Sequence, residues 1–181
     1  MSNLKELTWE HHKNAERQAF VKEMFSLDPQ ISKDRYACFL FNQYKQYEVL
    51  EKLASKLFED MPELYRTEKI FLDYKELWDD TKGNEPQLMP VVNEYINHLV
   101  SIKDDMNKLM AHVYVRHMGD LSGGQMISKR VPGSGRFYQF DKPIDELKQV
   151  VRLKLNDDMA DEAKICFDFA TKMFIQLGEI K

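Results

Sequence analysis

Two stretches of the chain hold residues whose types and spacing suit chemistry, and the first is HHKNAE at 11–16. His12 and Glu16 are four apart, so on a helix they share a face and the carboxylate reaches the imidazole's second N–H. That contact orients a metal-ligating histidine and raises its basicity. Thr8, Ala15 and Ala19 lie on the same stripe, leaving room for a planar group beside the ring. His11 faces about 100° away and is the poorer ligand. His98, His112 and His117 read as ordinary polar core or surface residues.

The second stretch is HMGDLSGGQMI at 117–127, in which Gly119, Gly123 and Gly124 interrupt strongly helical flanks. A helix-interior glycine forgoes about 1 kcal/mol relative to alanine, so the trio forgoes on the order of 3 kcal/mol. Close helix packing is one use, since Gly119 and Gly123 form a small-xxx-small pair. Bare backbone laid against a flat, bulky ligand is the other, with the helix kinking to meet it. A phosphate cradle is excluded, because no GxxxxGK[ST] motif occurs. Asp120, between the glycines, is placed to organise water.

Several metal centres are ruled out by spacing. A di-iron bundle needs Glu-x-x-His, but the residues three before each histidine are Thr8, Trp9, Tyr95, Leu109 and Tyr114. Cys38 and Cys166 have no partner at zinc-ligand spacing, and no C-x-x-C-H exists for covalent haem attachment. One imidazole and a glycine-rich helix remain, a combination suited to gripping haem by a single axial ligand.

The elements that must position these groups are helices. A chain of 181 residues with 43% apolar content supports one domain with a core, read here as residues 1–181. Seven glycines and six prolines are too few for the turns of a sandwich or barrel. The net charge of −4 provides no bulk positive field for nucleic acid. No stretch approaches the ~18 apolar residues of a membrane span. Together with a charged N-terminal segment and a polar end, this predicts a soluble, cytoplasmic protein with free cysteines.

Periodicity predicts an amphipathic helix over 3–24, a long helix from an N-cap at Ser32 to Phe58, and another from Pro62 to about Tyr74. A loop follows at 79–87, then helices over 88–103 and 105–130, a break at 131–135, and helices over 143–155 and 158–177. The expected fold class is all-α, a single-domain helical bundle.

LKELTWEHHKNAE at 4–16 and AHVYVRHMGDLSGGQ at 111–125 resemble the proximal and distal helices of biliverdin-forming haem oxygenases. The resemblance spans nearly the whole chain, and GDLSGGQ is its most specific element. It implies haem sandwiched between the two helices, with His12 the axial iron ligand, Glu16 its hydrogen-bond partner, and Gly119, Gly123 and Gly124 the backbone over the distal face. Asp120 matches the distal aspartate that holds water around bound oxygen, with Tyr114, Arg116 and Tyr44 joining or bordering that network. Water held by a carboxylate, in place of a strong distal acid, lets the terminal oxygen attack the ring, so that position selects the reaction.

Lys5, Lys148 and Arg152 fall where the family places cations for the haem propionates, fixing which meso carbon meets the oxygen. Phe167 and Phe174 match aromatic walls of the pocket. The implied activity is cleavage of haem at the α-meso carbon to biliverdin IXα, CO and Fe(II), using O2 and external electrons. Animal members carry a hydrophobic C-terminal anchor that this chain lacks, so it resembles the soluble type that takes electrons from ferredoxin and supplies bilin synthesis, with a bilin reductase downstream. Lys5, Lys13, Lys148 and Arg152 offer a basic rim for an acidic ferredoxin. His117 and Met118 depart from the more usual Tyr or Phe and Leu. A non-catalytic haem carrier would use the same grip but would not need Asp120. A helical hydrolase of the thiaminase kind, with Cys38 as nucleophile, leaves the glycines unexplained.

Overall fold

The computed structural model describes residues 2–180. Ten α-helices build it: α1 (Leu4–Leu7), α2 (Trp9–Glu16), α3 (Ala19–Met24), α4 (Lys33–Leu53), α5 (Thr67–Leu77), α6 (Pro90–Ser101), α7 (Met106–Ser122), α8 (Gly124–Ile127), α9 (Ile144–Arg152) and α10 (Ala160–Glu179). Short 3-10 turns join several of them. Among the described residues there is no β-strand, only an isolated bridge between Leu27 and Gln30, so the all-α expectation holds.

Two long helices organise the rest. α4 packs against α5, α6 and α7, and α10 packs against α2, α3, α6 and α7. α4 starts where the Ser32 hydroxyl accepts the Arg35 amide at 3.2 Å, a cap that satisfies one of the helix's orphan donors. Its inward faces feed two apolar clusters. One gathers Phe20, Tyr36, Phe39, Leu40, Tyr74 and Met173; the other gathers Leu50, Phe58, Leu99, Leu109, Val113 and Val151. Among the described residues no helix is long and apolar enough to cross a membrane.

The expected helix over 3–24 is divided into three. Thr8 is buried and its hydroxyl donates back to the Leu4 carbonyl at 2.8 Å, a local bond that competes with the regular ladder; the chain re-aims there into α2. Gln18 is extended, at φ −65° and ψ 143°, which separates α2 from α3. The expected helix from Pro62 begins properly only at Thr67, because 62–64 form a 3-10 turn. The long helix from Ser32 likewise ends at Leu53, and 55–58 form a 3-10 turn.

The segment read as a helix over 105–130 opens on an Asp105 cap, whose carboxylate accepts the Lys108 amide at 3.1 Å. It breaks at Gly123 into α7 and α8. The chain then leaves through Gly133 and Gly135, at φ +92° and +70°, left-handed positions that glycine adopts without strain.

Candidate functional site

α2 presents His12 with one third of its side chain exposed, and Nε2 lies 2.6 Å from Glu16 Oε1. The Phe167 ring from α10 stacks on the imidazole at 4.9 Å and 14°, and Trp9 meets it edge-on at 5.5 Å. The ring is therefore held from two sides and by a carboxylate, with Nδ1 left as a free nitrogen. α10 is the shared support, since it packs against both α2 and α7.

On α7 the glycines behave differently from one another. A Cβ built on Gly119 meets nothing within 4 Å, and one on Gly123 meets only the Gly119 carbonyl oxygen, at 3.7 Å. This backbone faces open space, the condition for a flat ligand to approach the main chain. Gly124 is a packing glycine: its Cβ would fall 2.3 Å from Tyr138 Cδ1. The expectation that all three lie over a ligand is thus corrected for Gly124, whose missing side chain makes room for Tyr138.

Between Gly119 and Gly123 sits Asp120, buried on the inward side of α7. Burial pushes its carboxyl up to about 7, against the opposing pull of His117, the Tyr47 hydroxyl and Arg66. Tyr47 Oη lies 3.0 and 2.9 Å from the two carboxylate oxygens and donates to them. The tyrosine expected there was Tyr44. Three residues earlier on α4, Tyr44 faces away, donates to Glu48 at 2.9 Å and packs on Phe71. Tyr114 is also outside this group; it lies beside Thr8 and Glu6, and burial raises its phenol.

Arg116 is buried, donating to Tyr95 Oη at 3.0 Å, Gln43 Oε1 at 3.3 Å and Gln46 Oε1 at 2.7 Å. It reaches Asp120 only through Tyr47, whose hydroxyl is 3.4 Å from the Arg116 carbonyl oxygen. Phe174 joins Phe20 and Phe39 in stacked contacts at 6.4 and 6.2 Å, at the edge of the first apolar cluster. Lys5 and Arg152 are exposed and Lys148 half-buried. Lys13 is paired with Glu10 at 3.1 Å. Nothing activates Cys38 as a nucleophile: burial raises its thiol to about 11 and its Sγ donates to the Gln87 carbonyl at 3.5 Å.

A family model described as "Heme oxygenase" matches residues 1–176. The chain belongs to the haem oxygenase family. It is 32% identical over 201 residues to "Heme oxygenase" of Guillardia theta, covering 96% of this chain and 84% of that one. Against "Heme oxygenase 2" of Macaca fascicularis it is 27% identical and spans 64% of that protein's length. Among solved structures, the haem complex of haem oxygenase-1 from Synechocystis sp. PCC6803 superposes with a TM-score of 0.82 at 26% identity, covering 96% of this chain and 90% of that one.

In this member of the family the polar surroundings of Asp120 extend further than the sequence motifs indicated. Glu51 is 3% exposed; it accepts the Arg66 amide at 2.8 Å, the Thr67 amide at 2.9 Å and His117 Nε2 at 2.7 Å. These contacts hold its carboxyl below the usual range despite burial. Arg66 is 1% exposed and is tied to carbonyls of Glu63, Leu64, Phe137 and Gln139. Its guanidinium is held by backbone carbonyls, with no carboxylate bonded to it among the described residues. One signal for this group was available in the sequence: Gln43, Gln46, Tyr47 and Glu51 form a polar stripe at helical spacing along an otherwise apolar helix.

Proposed function

We propose that this protein is an active haem oxygenase that takes haem as its substrate, opens it at the α-meso carbon to biliverdin IXα, and releases CO and Fe(II). The reading is carried by Asp120, a buried carboxylate set between two glycines whose backbone faces open space. A protein that only held haem would have no use for a carboxylate in that place, given what burying it costs.

The residues fit the substrate. His12 offers Nδ1 while Glu16 engages Nε2, and a carboxylate behind the ring makes an imidazole a stronger donor to iron. Gly119 and Gly123 admit the macrocycle to the main chain of α7. Lys5, Lys148 and Arg152 have no ion-pair partner among the described residues, which leaves them available to the propionates, and Lys148 and Arg152 share one face of α9 by their four-residue spacing. Pinning the propionates sets the in-plane rotation of the ring, which is how these cations choose the carbon attacked.

Haem bound here supplies the iron that activates O2. The chain's own part is to hold and move protons on the distal side. Asp120, poised near 7, accepts or gives a proton at Oδ1 or Oδ2. Tyr47 donates to that carboxylate and keeps it aimed, and His117 and Arg66 supply positive field from behind. The electron donor in this reading is a ferredoxin docking on the basic rim of Lys5, Lys13, Lys148 and Arg152, and the product passes to a bilin reductase in the cytoplasm.

The test is to supply hemin, O2 and a reductant and to follow the spectrum. Loss of the Soret band with growth of a bilin absorption supports the reading; a Soret band that persists through reduction in air overturns it. His12→Ala should lose the axial signature of the bound iron, and Asp120→Ala should keep hemin uptake while losing bilin formation. Ferredoxin dependence is checked separately, by charge reversal at Lys148 and Arg152 under varied salt, since docking through surface charge is screened.

A further inference from the structure

A second polar cluster, about two turns before Gly119 on α7, takes no part in the chemistry above. His98 comes from α6, His112 from α7 and Glu162 from the first turn of α10. His112 Nε2 lies 2.8 Å from Glu162 Oε1, and His98 Nε2 meets the same oxygen. The three donor atoms all lie within 4.8 Å of one another. Three helices thus converge two imidazoles and one carboxylate on a single point.

The surroundings orient these groups. Arg116 Nε donates to Tyr95 Oη at 3.0 Å, which makes that oxygen an acceptor. His112 Nδ1 sits 2.8 Å from the same oxygen, and Cys166 Sγ is 3.6 Å away. A phenol oxygen has two lone pairs and one proton. It therefore accepts from Arg116, and its second lone pair and its proton serve His112 Nδ1 and the Cys166 sulfur. Without a metal His112 Nε2–H donates to the Glu162 carboxylate at 2.8 Å, so a bound ion would take the place of that proton while the Tyr95 hydroxyl beside Nδ1 fixes the ring, as such groups do behind metal-bound histidines. His112 is fully buried and the Glu162 side chain is 8% exposed, whereas the His98 side chain is 23% exposed, so entry is past His98.

We propose that His98 Nε2, His112 Nε2 and Glu162 Oε1 form a binding site for one divalent transition-metal ion of the Zn2+ class, separate from the haem pocket. Two imidazoles and a carboxylate are a zinc-type ligand set that keeps a fourth position for water, and they disfavour Mg2+ and Ca2+, which take oxygen ligands. Donors about 2.0–2.2 Å from a tetrahedral ion stand about 3.3–3.5 Å apart, so the cluster needs only to open slightly as the ion replaces the hydrogen bonds. The ion joins α6, α7 and α10 into one unit.

Co2+ as a visible probe and Zn2+ as its competitor test this on the intact chain, both metal-free and after loading with hemin. One Co2+ per chain should bind with the visible bands of a four- or five-coordinate site, and Zn2+ should displace it and raise Tm by at least about 5 °C at saturation. His98→Ala, at the exposed rim, and Glu162→Gln should each weaken binding at least tenfold, while His11→Ala, which removes an unrelated surface histidine, should leave it unchanged. Should Glu162→Gln fail to fold, His98→Ala alone decides. The proposal is overturned by no saturable 1:1 binding up to millimolar Co2+, or by an affinity indifferent to His98→Ala. Hemin uptake is read independently at the Soret band, so failure of the haem reading and failure of this one are told apart.

Discussion

At the scale of single residues, Asp120 is a buried carboxyl held above its ordinary range. Its folded value near 7 lies above the unfolded value of about 4. Stability from its protonated form is complete below pH 4 and is lost as pH rises through 7. Asp120→Asn, which keeps the shape and removes the charge, should match the parent near pH 4 and exceed it above pH 7 by a few kcal/mol. Urea denaturation across that range checks the sign; a gap that widens toward low pH contradicts it. Tyr47→Phe takes away the hydroxyl that favours the ionised form, so the loss of stability should extend to higher pH. An NMR or infrared titration of Asp120 reads the same shift directly. Tyr44→Phe should leave that titration where it was, because Tyr44 bonds to Glu48 instead.

At the scale of elements, α7 and α8 carry two kinds of glycine that look alike in sequence. Gly119→Ala places its methyl in open space and improves helix propensity, so the apoprotein should gain up to about 1 kcal/mol while hemin affinity falls. Gly124→Ala drives a methyl into Tyr138, whose ring is already stacked on Phe137 at 4.3 Å; a loss of about 1–3 kcal/mol is expected. Thermal melts and hemin titrations of the two variants should therefore move in opposite combinations. The cluster itself was legible, because three glycines in six residues contradict the strong helical flanks. Their separate duties were not, because what a Cβ meets depends on the 131–140 segment folding back against α8. The division of 3–24 was hidden for a similar reason: apolar spacing continues across Thr8 and Gln18, and a buried hydroxyl and one extended residue interrupt it.

At the scale of the whole molecule, Glu51 joins three helices: α4, which carries it, α5, whose first amides it accepts, and α7, through His117. Removing Glu51 leaves the Arg66 and Thr67 amides and the His117 ring without their buried acceptor, so Glu51→Leu should cost about 3–5 kcal/mol, read as a lower denaturant midpoint, while Glu51→Gln should cost less. Helical class, the Ser32 cap and the His12–Glu16 pair could all be derived from spacing, because a helix turns local order along the chain into faces and caps. The choice of Tyr47 over Tyr44, the separation of Gly124 from Gly119, and the meeting of His98, His112 and Glu162 came from the tertiary structure alone. Those depend on which face of one element is pressed against another, and residues on separate elements carry no trace of that contact in their local pattern.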